Sequence, residues 1–272
     1  MKKTLLFGLA LLGFTMAKSQ DADKNFRFGL KATPSINWFK IDDEKTFEKG
    51  GANLKFGYGL ITEFKITDVA WFTTGLQVDY DGGKIEKNDS IYYLYNEDDG
   101  FLENDFDYIA DTATTKKYTT YMLNKRKYNS MYVTIPLQLR LKTKEIGYLT
   151  YYGHFGLNTS IHIRTKVTDE STSWSSTGAK QDVTLEKLDN SKDMNILRTS
   201  LALGGGVEMN LSGSTSLMFG LSFNQGFMNA VKKDSKFLID GEKTNASTET
   251  KPTAQQQKFL SQSMTLTIGI LF

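Results

Sequence analysis

The chain has 272 residues, with 33 Lys and Arg against 31 Asp and Glu, 39% hydrophobic residues and no cysteine. The near balance of charge gives no support for a nucleic-acid partner, and the lack of cysteine excludes disulfides, thiolate chemistry and a lipoprotein anchor. After the first residues, no stretch approaches the roughly 18 consecutive apolar residues of a transmembrane helix. A membrane protein with this composition is therefore expected to be a β-barrel.

The amino terminus has the pattern of an export signal. Lys2 and Lys3 precede an apolar run over residues 5–14, and small residues follow. The run is shorter than the roughly 20 residues that cross a bilayer as a helix, so residues 1–19 are predicted to be a removed signal peptide. A buried amino-terminal helix is the alternative, but it does not explain why a charged start, an apolar run and small residues follow one another in this order. Without Lys2, Lys3 and Lys18, 30 of the 33 basic residues remain against 31 acidic ones.

Apolar residues then alternate with small or polar ones in eight segments, and this period of two predicts β-strands. The last segment ends on an aromatic residue, Phe272, which is typical of the closing strand and insertion signal of an outer-membrane barrel. A strand of a soluble sandwich has the same period but seldom ends the chain this way. The predicted strands are residues 26–38, 54–66, 70–80, 128–142, 148–164, 194–211, 216–227 and 259–272.

The connections between these segments alternate between long and short. The short ones centre near residues 68, 145 and 213, and the long ones are residues 40–53, 81–126, 165–193 and 230–258. Outer-membrane barrels have long external loops, short periplasmic turns and an even number of strands. Residues 20–272 are therefore predicted to form an all-β, eight-stranded, antiparallel, up-and-down transmembrane β-barrel in the outer membrane.

The two faces of the predicted strands differ in charge. No apolar-facing position is Asp, Glu, Lys or Arg, as expected if that face contacts lipid, where a Lys or Arg costs about 2–4 kcal/mol at the bilayer midplane. The charged residues of the strands have the opposite parity and are expected to point inward. They are Arg27, Lys31, Lys55, Glu63, Lys65, Asp79, Arg140, Arg198 and Glu208.

Eight strands enclose an interior that side chains fill, so an open pore is not expected and buried charges must pair. We identify Lys31, Glu63, Arg140 and Glu208 as structural interior charges, with Lys31 and Glu63 as the candidate pair. The excess of basic residues is either solvated near the rims or attracts an anionic partner. Pro34 and Pro136 lack the N–H that a closed ladder needs, so each predicts a bulge or kink.

The sequence gives little support for catalysis. His154 and His162 share the inward face but lie about 26 Å apart at strand rise, so they cannot share a metal or a proton. Ser160 and His162 are neighbours on that face, but a hydrolase also needs a carboxylate, and no acidic residue is placed for it by the sequence. The acidic run in residues 81–126 lacks the spacing of a calcium loop. We predict no catalytic residue, cofactor or metal.

Several motifs resemble those of the PorT-like small outer-membrane barrels of Bacteroidota. The residues that carry the resemblance are Phe28-Gly29-Leu30-Lys31, Tyr132 to Lys142 with Ile135-Pro136-Leu137, Tyr152-Gly153, Phe155-Gly156, Gly204-Gly205-Gly206-Val207-Glu208 and Phe272. The resemblance covers most of the chain and implies the barrel fold. PorT itself is associated with the type IX secretion system, so the resemblance also implies protein secretion as a context.

Three functional hypotheses follow. The first is a non-enzymatic outer-membrane barrel, an accessory or structural component whose external loops contact a partner protein or surface lipid, within type IX secretion or envelope assembly. The second is a stand-alone structural or adhesive surface barrel, and the third is an outer-membrane lipid hydrolase. The expected partners are outer-membrane lipid, the barrel-assembly machinery during insertion and a subunit of a secretion or envelope complex, with no nucleic acid.

Overall fold

The structure is a computed structural model that describes residues 25–42, 45–87, 90–104, 118–175, 178–242 and 252–272. The predicted export signal, residues 1–19, lies outside these ranges, as do Asp105, Asp107 and Asp111 of the acidic run. Within them the chain forms seventeen β-strands and a short 3-10 helix, Ser191–Asp193. No helix in these ranges is long and apolar enough to cross a membrane.

All the strand pairings shown are antiparallel, which confirms the predicted all-β antiparallel fold. The strands are β1 (Phe26–Ala32), β2 (Ser35–Ile41), β3 (Phe47–Lys49), β4 (Asn53–Lys55), β5 (Gly57–Lys65), β6 (Ala70–Asp81), β7 (Lys84–Lys87), β8 (Ile91–Asn96), β9 (Gly100–Phe101), β10 (Thr119–Lys142), β11 (Leu149–Trp174), β12 (Lys180–Asp189), β13 (Leu197–Ser212), β14 (Thr215–Asn229), β15 (Asp234–Asp240), β16 (Ala254–Gln256) and β17 (Phe259–Leu271).

One set of pairings returns to its starting strand. β1 pairs with β5, β5 with β6 and β6 with β10. β10 pairs with β11, β11 with β13, β13 with β14 and β14 with β17. β17 pairs in turn with β1 and with β2, and β2 also pairs with β4. We call these strands, with β2 and β4 as continuations of β1 and β5, the ring.

The number of strand segments exceeds the eight predicted strands. Thr33 and Pro34 divide the first predicted strand into β1 and β2, because a proline has no N–H for the ladder. Phe56 separates β4 from β5. The connections predicted as long loops also contain strands: β7, β8 and β9 lie within residues 81–126, β12 within 165–193, and β15 and β16 within 230–258.

Pro136 interrupts one ladder without shifting it. The pairing of β10 with β6 stops at Thr134 opposite Gln77 and resumes at Gln138 opposite Thr73, in the same register. On the other side, Pro136 lies opposite Asn158 in an unbroken run. The predicted loss of ladder bonds is therefore present, but the predicted bulge is not. The nearest register shift lies between Met131 and Tyr132.

The two ends of the ring are unlike. At one end the connections are short, over residues 66–69, 143–148 and 213–214, close to where the sequence predicts them. At the other end the extra strands extend the same sheet beyond the ring, and we call this part of the molecule the cap. It consists of β3, β7, β8, β9, β12, β15, β16, the 3-10 helix, residues 119–127 of β10 and residues 166–174 of β11.

The main apolar core lies in the cap and at its junction with the ring. Its members are buried aliphatic and aromatic side chains, including Phe39, Ile41, Phe47, Ile85, Ile91, Tyr93, Leu123, Tyr128, Val167, Leu188, Val231, Leu238 and Phe259. A smaller cluster of Ile61, Tyr152, Met218 and Leu271 lies inside the ring toward the short connections. Buried apolar groups thus close both ends of the interior, whereas the middle is polar.

Candidate functional site: belt, sealed interior and cap

The outward face of the ring is an apolar belt. Each strand around the ring contributes a leucine that is between 42% and 60% exposed, and other apolar side chains surround it. These leucines are Leu30, Leu60, Leu76, Leu137, Leu157, Leu203, Leu221 and Leu266. Monomeric soluble proteins rarely expose apolar patches of more than a few hundred Å², so a belt that surrounds the molecule indicates contact with lipid.

Aromatic side chains mark the end of the belt at the short connections. The Phe28 and Phe272 ring centroids are 5.6 Å apart, and those of Phe26 and Phe64 are 5.1 Å apart. The amide of Phe272 donates to the carbonyl oxygen of Phe28 at 2.8 Å, which joins the end of the chain to β1. Aromatic rings of this kind favour the membrane interface. The role of Phe272 as an insertion signal stays a prediction.

Inside the ring, near the short connections, five charged side chains form a cluster that we call the charge plug: Arg27, Glu63, Arg140, Lys142 and Glu208. Glu63 accepts from Lys142 at 2.6 Å, and Glu208 accepts from Arg27 at 2.7 Å. Lys142 also lies 2.7 Å from Glu208, and Arg140 donates to Glu63. Three basic groups therefore share two carboxylates, and each carboxylate contacts all three.

The predicted pair of Lys31 and Glu63 is not formed. The register places Glu63 opposite Arg27 and places Lys31 opposite Gly59, so four residues of β1 separate the two groups. Lys31 instead lines the central cavity with Asp79. Glu63, Arg140 and Glu208 are buried, and Lys31 is partly buried.

Aromatic and sulfur contacts pack the charge plug. The guanidinium carbon of Arg140 lies 4.3 Å from the ring centroid of Tyr152, and Lys142 Nζ lies 4.7 Å from that of Trp71. Arg140 Nη1 also lies 3.2 Å from Met218 Sδ. Cation–π contacts of this kind are strongest when they are desolvated. Together with the apolar cluster around Ile61, these contacts close the interior at this end.

Between the two closed ends lies a polar cavity of about 90 Å³, large enough for several water molecules. Hydroxyl and amide side chains line most of it, together with His154 and the ion pair of Asp81 and Arg198. Ser261 Oγ donates to Asp81 at 3.0 Å, and the Arg198 guanidinium carbon lies 4.0 Å from the Tyr132 ring centroid. The cavity can therefore hold water, and two of its charged groups, Asp81 and Arg198, are paired with each other.

The geometry does not assemble Ser160 and His162 into a hydrolase site. Ser160 Oγ shares a hydrogen bond of 2.9 Å with Thr134 Oγ1, and His162 Nε2 shares one of 2.8 Å with Thr165 Oγ1. Within the described ranges, no hydrogen bond joins His162 to a carboxylate. The same ranges contain no cluster of three or more metal-ligating side chains.

Aromatic rings and one ion pair close the interior at the cap. The Phe39 ring packs against Tyr128 and Phe259, with centroid distances of 5.4 and 5.6 Å. Arg126 donates to both carboxylate oxygens of Asp169, at 2.8 and 2.6 Å, and both side chains are fully buried. Burial alone would lower the pKa of Arg126, but Asp169 raises it above its ordinary value, so the guanidinium stays charged.

Aromatic faces cover the same arginine. Its guanidinium carbon lies 5.3 Å from the Phe101 ring centroid and 5.7 Å from that of Tyr93. Tyr93 is itself buried, and its hydroxyl shares a hydrogen bond of 2.8 Å with Ser171 Oγ. Burial raises the pKa of the Tyr93 hydroxyl, so this group stays protonated. The ion pair therefore joins β10 to β11, and the Phe101 ring packs β9 against it.

A second buried carboxylate holds β15 in the cap. Asp193 accepts from Ser235 Oγ at 2.6 Å, from the Lys236 amide at 2.5 Å and from Gln257 Nε2 at 3.1 Å. Burial raises the pKa of Asp193 above its ordinary value despite these hydrogen bonds. Because its partners lie far along the chain, Asp193 ties the 3-10 helix to the segment around β15 and β16.

We did not identify four of these charged residues from the sequence: Lys142, Arg126, Asp169 and Asp193. Lys142 has the same parity on β10 as Arg140, and that signal was sufficient to identify it. Arg126 has this parity too, but it lies in a segment predicted as a loop. Asp169 and Asp193 gave no usable signal, because they also lie in a predicted loop and a register shift between Val167 and Asp169 disturbs the alternation.

Residues 18–232 match the family described as outer membrane protein beta-barrel domain. A comparison with curated proteins finds no match. Among solved structures, Neisserial surface protein A is 9% identical with a TM-score of 0.38, and the match covers 92% of this chain and 98% of that one. Ail of Yersinia pestis is 12% identical with a TM-score of 0.32, covering 92% and 100%. A major outer membrane protein of Thermus thermophilus is 12% identical with a TM-score of 0.35, covering 89% and 98%.

The family match spans well over half of the chain, which therefore belongs to the outer membrane protein beta-barrel domain family and is an outer-membrane β-barrel protein.

Proposed function

We propose that the ring is an eight-stranded transmembrane barrel and that the protein is not an enzyme. The eight spanning units are β1 with β2, β4 with β5, β6, β10, β11, β13, β14 and β17. The closed circuit of pairings supports this count, and the exposed belt supports the lipid contact. Outer-membrane barrels have their short turns in the periplasm, so we place the short connections there and the cap outside the cell.

We further propose that the cap binds a partner protein. The observation that carries this proposal is the closure of the interior at both ends, by the charge plug and by the rings around Phe39. A closed barrel of this size has no route for solute, so the function is expected on the surface. The cap is suited to binding because its own core and the Arg126 and Asp169 pair hold it rigid, and a preorganised surface loses less entropy on binding.

The resemblance to PorT-like barrels favours one class of partner. On that basis we propose that the protein is an accessory component of a secretion or envelope-assembly complex, with type IX secretion as the specific case. A stand-alone structural or adhesive barrel is the alternative, and it predicts that no subunit accompanies the protein. The hydrolase hypothesis is not favoured, since Ser160 and His162 bond to separate threonines.

The test combines extraction and cross-linking in the native outer membrane. A tag inserted between residues 243 and 251 allows purification in mild detergent, and a photo-cross-linking residue at Thr184 on β12 probes the cap. The matched control carries the cross-linker at Tyr148, which is 76% exposed at the short connections. Stoichiometric recovery of one protein, cross-linked from Thr184 but not from Tyr148, is the expected result. Recovery of the barrel with lipid alone would favour the stand-alone reading.

A separate measurement tests the closed barrel itself. The folded protein should resist SDS and migrate faster on a gel unless it is boiled. In planar bilayers it should give no stable single-channel conductance, because the charge plug and the cap both close the interior. A steady conductance would contradict the closed interior, and a single gel species regardless of heating would contradict the barrel.

A further inference from the structure

Four basic side chains lie on the outward face of β7, β10 and β11, just where the belt ends. We call Lys84, Lys127, Arg164 and Lys166 the basic column. Residues directly opposite on neighbouring strands have Cβ atoms about 5 Å apart, and successive residues on one face lie about 7 Å apart. The four therefore lie within three successive rows of one face. Their cross-strand neighbours are Lys84 opposite Lys127, Lys127 opposite Thr168, Asn129 opposite Lys166, and Met131 opposite Arg164.

The basic column continues directly into the belt. Met131 lies between Tyr80 on β6 and Arg164 on β11, and the next row on the same face places Val133 opposite Val78 and Ile161. Charged rows therefore stand immediately above apolar rows on the same three neighbouring elements. A ligand that contacts both must be amphiphilic, with an anionic head and an apolar tail.

The charges of the basic column are not neutralised by the protein. Within the described ranges, none of its four members forms an ion pair, whereas the next lysine outward, Lys125, pairs with Glu86 at 3.1 Å. Lys55 Nζ donates to the Asn129 side chain at 2.5 Å and adds a fifth positive charge beside the column. Like charges directly opposite on neighbouring strands are destabilising, so this arrangement favours a bound anion.

A cleft of about 240 Å³ adjoins the basic column. Lys84, Lys127 and Thr168 contribute to its lining, together with Lys125, Glu86 and Glu170. Both carboxylates lie beside Lys125, which pairs with Glu86 and lies opposite Glu170 on β11. Ammonium groups and a hydroxyl can donate to the oxygens of a phosphate group, which carries about −1.5 to −2 charge and three strong acceptors. The chemistry of the cleft thus fits a phosphomonoester better than a neutral headgroup.

We propose that the basic column and the belt rows beneath it form one site for a phosphorylated membrane lipid. The phosphate binds Lys84, Lys127, Lys166 and Arg164, and the acyl chains lie against Met131, Val133 and Ile161. The site selects the lipid over free phosphate because the charged and apolar rows are contiguous. It rests on the proposed orientation of the ring, which puts these residues at the outer surface of the membrane.

The test compares two triple variants of the full chain in detergent. Lys84→Gln, Lys127→Gln and Lys166→Gln together remove three charges from the basic column. The matched control, Lys40→Gln, Lys180→Gln and Lys233→Gln, removes three charges from exposed lysines of the cap end outside the basic column. Native mass spectrometry measures binding of phosphatidic acid, with phosphatidylcholine as the zwitterionic lipid and inorganic phosphate as the competitor.

The native chain and the control should prefer phosphatidic acid to phosphatidylcholine, and the column variant should bind phosphatidic acid at least about tenfold more weakly. Equal binding by both variants, no preference between the lipids, or displacement by an equal concentration of inorganic phosphate would each overturn the proposal. Heat-dependent migration of every sample checks the fold. A native chain without it would overturn the barrel itself, whereas normal migration with no lipid preference would overturn only this site.

Discussion

The ring and the cap differ in which residue types they bury and which they expose. Phe47 in the cap is 1% exposed, whereas Phe56, nine residues further along the chain, is 48% exposed on the belt. Charged groups show the reverse: Glu63 is buried inside the ring, and Glu186 is exposed on β12 of the cap. Each region is therefore folded against its own solvent. Lipid covers the apolar outside of the ring, and water covers the polar outside of the cap.

Both regions nevertheless bury charge, and they satisfy it differently. The cap encloses the single bidentate pair of Arg126 and Asp169 between aromatic rings. The ring distributes two carboxylates among three cations, so the removal of one carboxylate affects all three. A change in the charge plug should therefore have the largest effect on stability.

Replacing Glu63 by glutamine tests this directly. The amide keeps the shape of the side chain but leaves Arg140 and Lys142 buried beside a single carboxylate. Breaking a buried ion pair costs about 3–5 kcal/mol, and we expect a loss of stability in that range. Urea unfolding in phosphatidylcholine vesicles, followed by tryptophan fluorescence and by migration on gels, measures it.

Asp68→Asn is the matched control for this change. Asp68 pairs with Lys65 at 2.9 Å on a short connection, and its side chain is 92% exposed. Solvent-exposed ion pairs contribute little, so no measurable shift is expected. Equal unfolding midpoints for Glu63→Gln and Asp68→Asn would show that the charge plug does not stabilise the ring.

The two phenylalanines give the second test. Phe47→Ala removes a buried ring that packs edge-on against Phe259, with centroids 5.1 Å apart, and should cost about 3 kcal/mol or more through the cavity that it leaves. Phe56→Ala should cost much less, because lipid can fill the vacated space. Limited proteolysis of the long connections should become faster in Phe47→Ala alone, while both variants keep heat-dependent migration.

If Phe56→Ala were as damaging as Phe47→Ala, then the belt would pack against protein rather than lipid. That outcome would contradict the assignment of lipid to the outside of the ring. Hydrogen exchange of β3 and β7 provides an independent readout, since Phe47 lies opposite Lys87 in the pairing of these two strands.

A charge placed on each outward face gives the third test. Leu137→Arg places a cation on the belt and should cost about 2–4 kcal/mol in vesicles if the site lies near the bilayer midplane. Thr184→Arg places the same cation on exposed β12, where water solvates it, and should change stability by less than about 0.5 kcal/mol. Similar effects of both substitutions would indicate that the two faces meet the same solvent.

The sequence predicts the ring well for a physical reason. A strand between lipid and a polar interior has a strict period of two, and Leu137, Leu139 and Leu141 alternate with Gln138 and Arg140 without exception. The short connections follow from the same pattern, because it breaks for only a few residues. The same alternation indicates that Lys142 points inward, since it shares the parity of Arg140.

The cap was predicted poorly because its strands lack a clean alternation. β8 contains Tyr92, Tyr93, Leu94 and Tyr95 in succession, and amphipathic tyrosines are compatible with either face. The partner of each buried charge is also set by register, which depends on turns and bulges. Register places Arg27 opposite Glu63 on β5, and it also brings Arg140 and Lys142 of β10 within hydrogen-bond distance of Glu63.

The smallest expected effect is a pH dependence confined to the cap. Burial raises the pKa of Asp193, which lies outside the belt, so the fold favours the protonated carboxyl. This contribution to stability is fully present below the ordinary Asp pKa and is lost as the pH rises through the raised value. The stability of the native cap relative to Asp193→Asn should therefore fall with rising pH, as measured by urea unfolding at a series of pH values. If it rises instead, the hydrogen bonds donated by Ser235, Lys236 and Gln257 outweigh burial, and Asp193 binds β15 as a carboxylate.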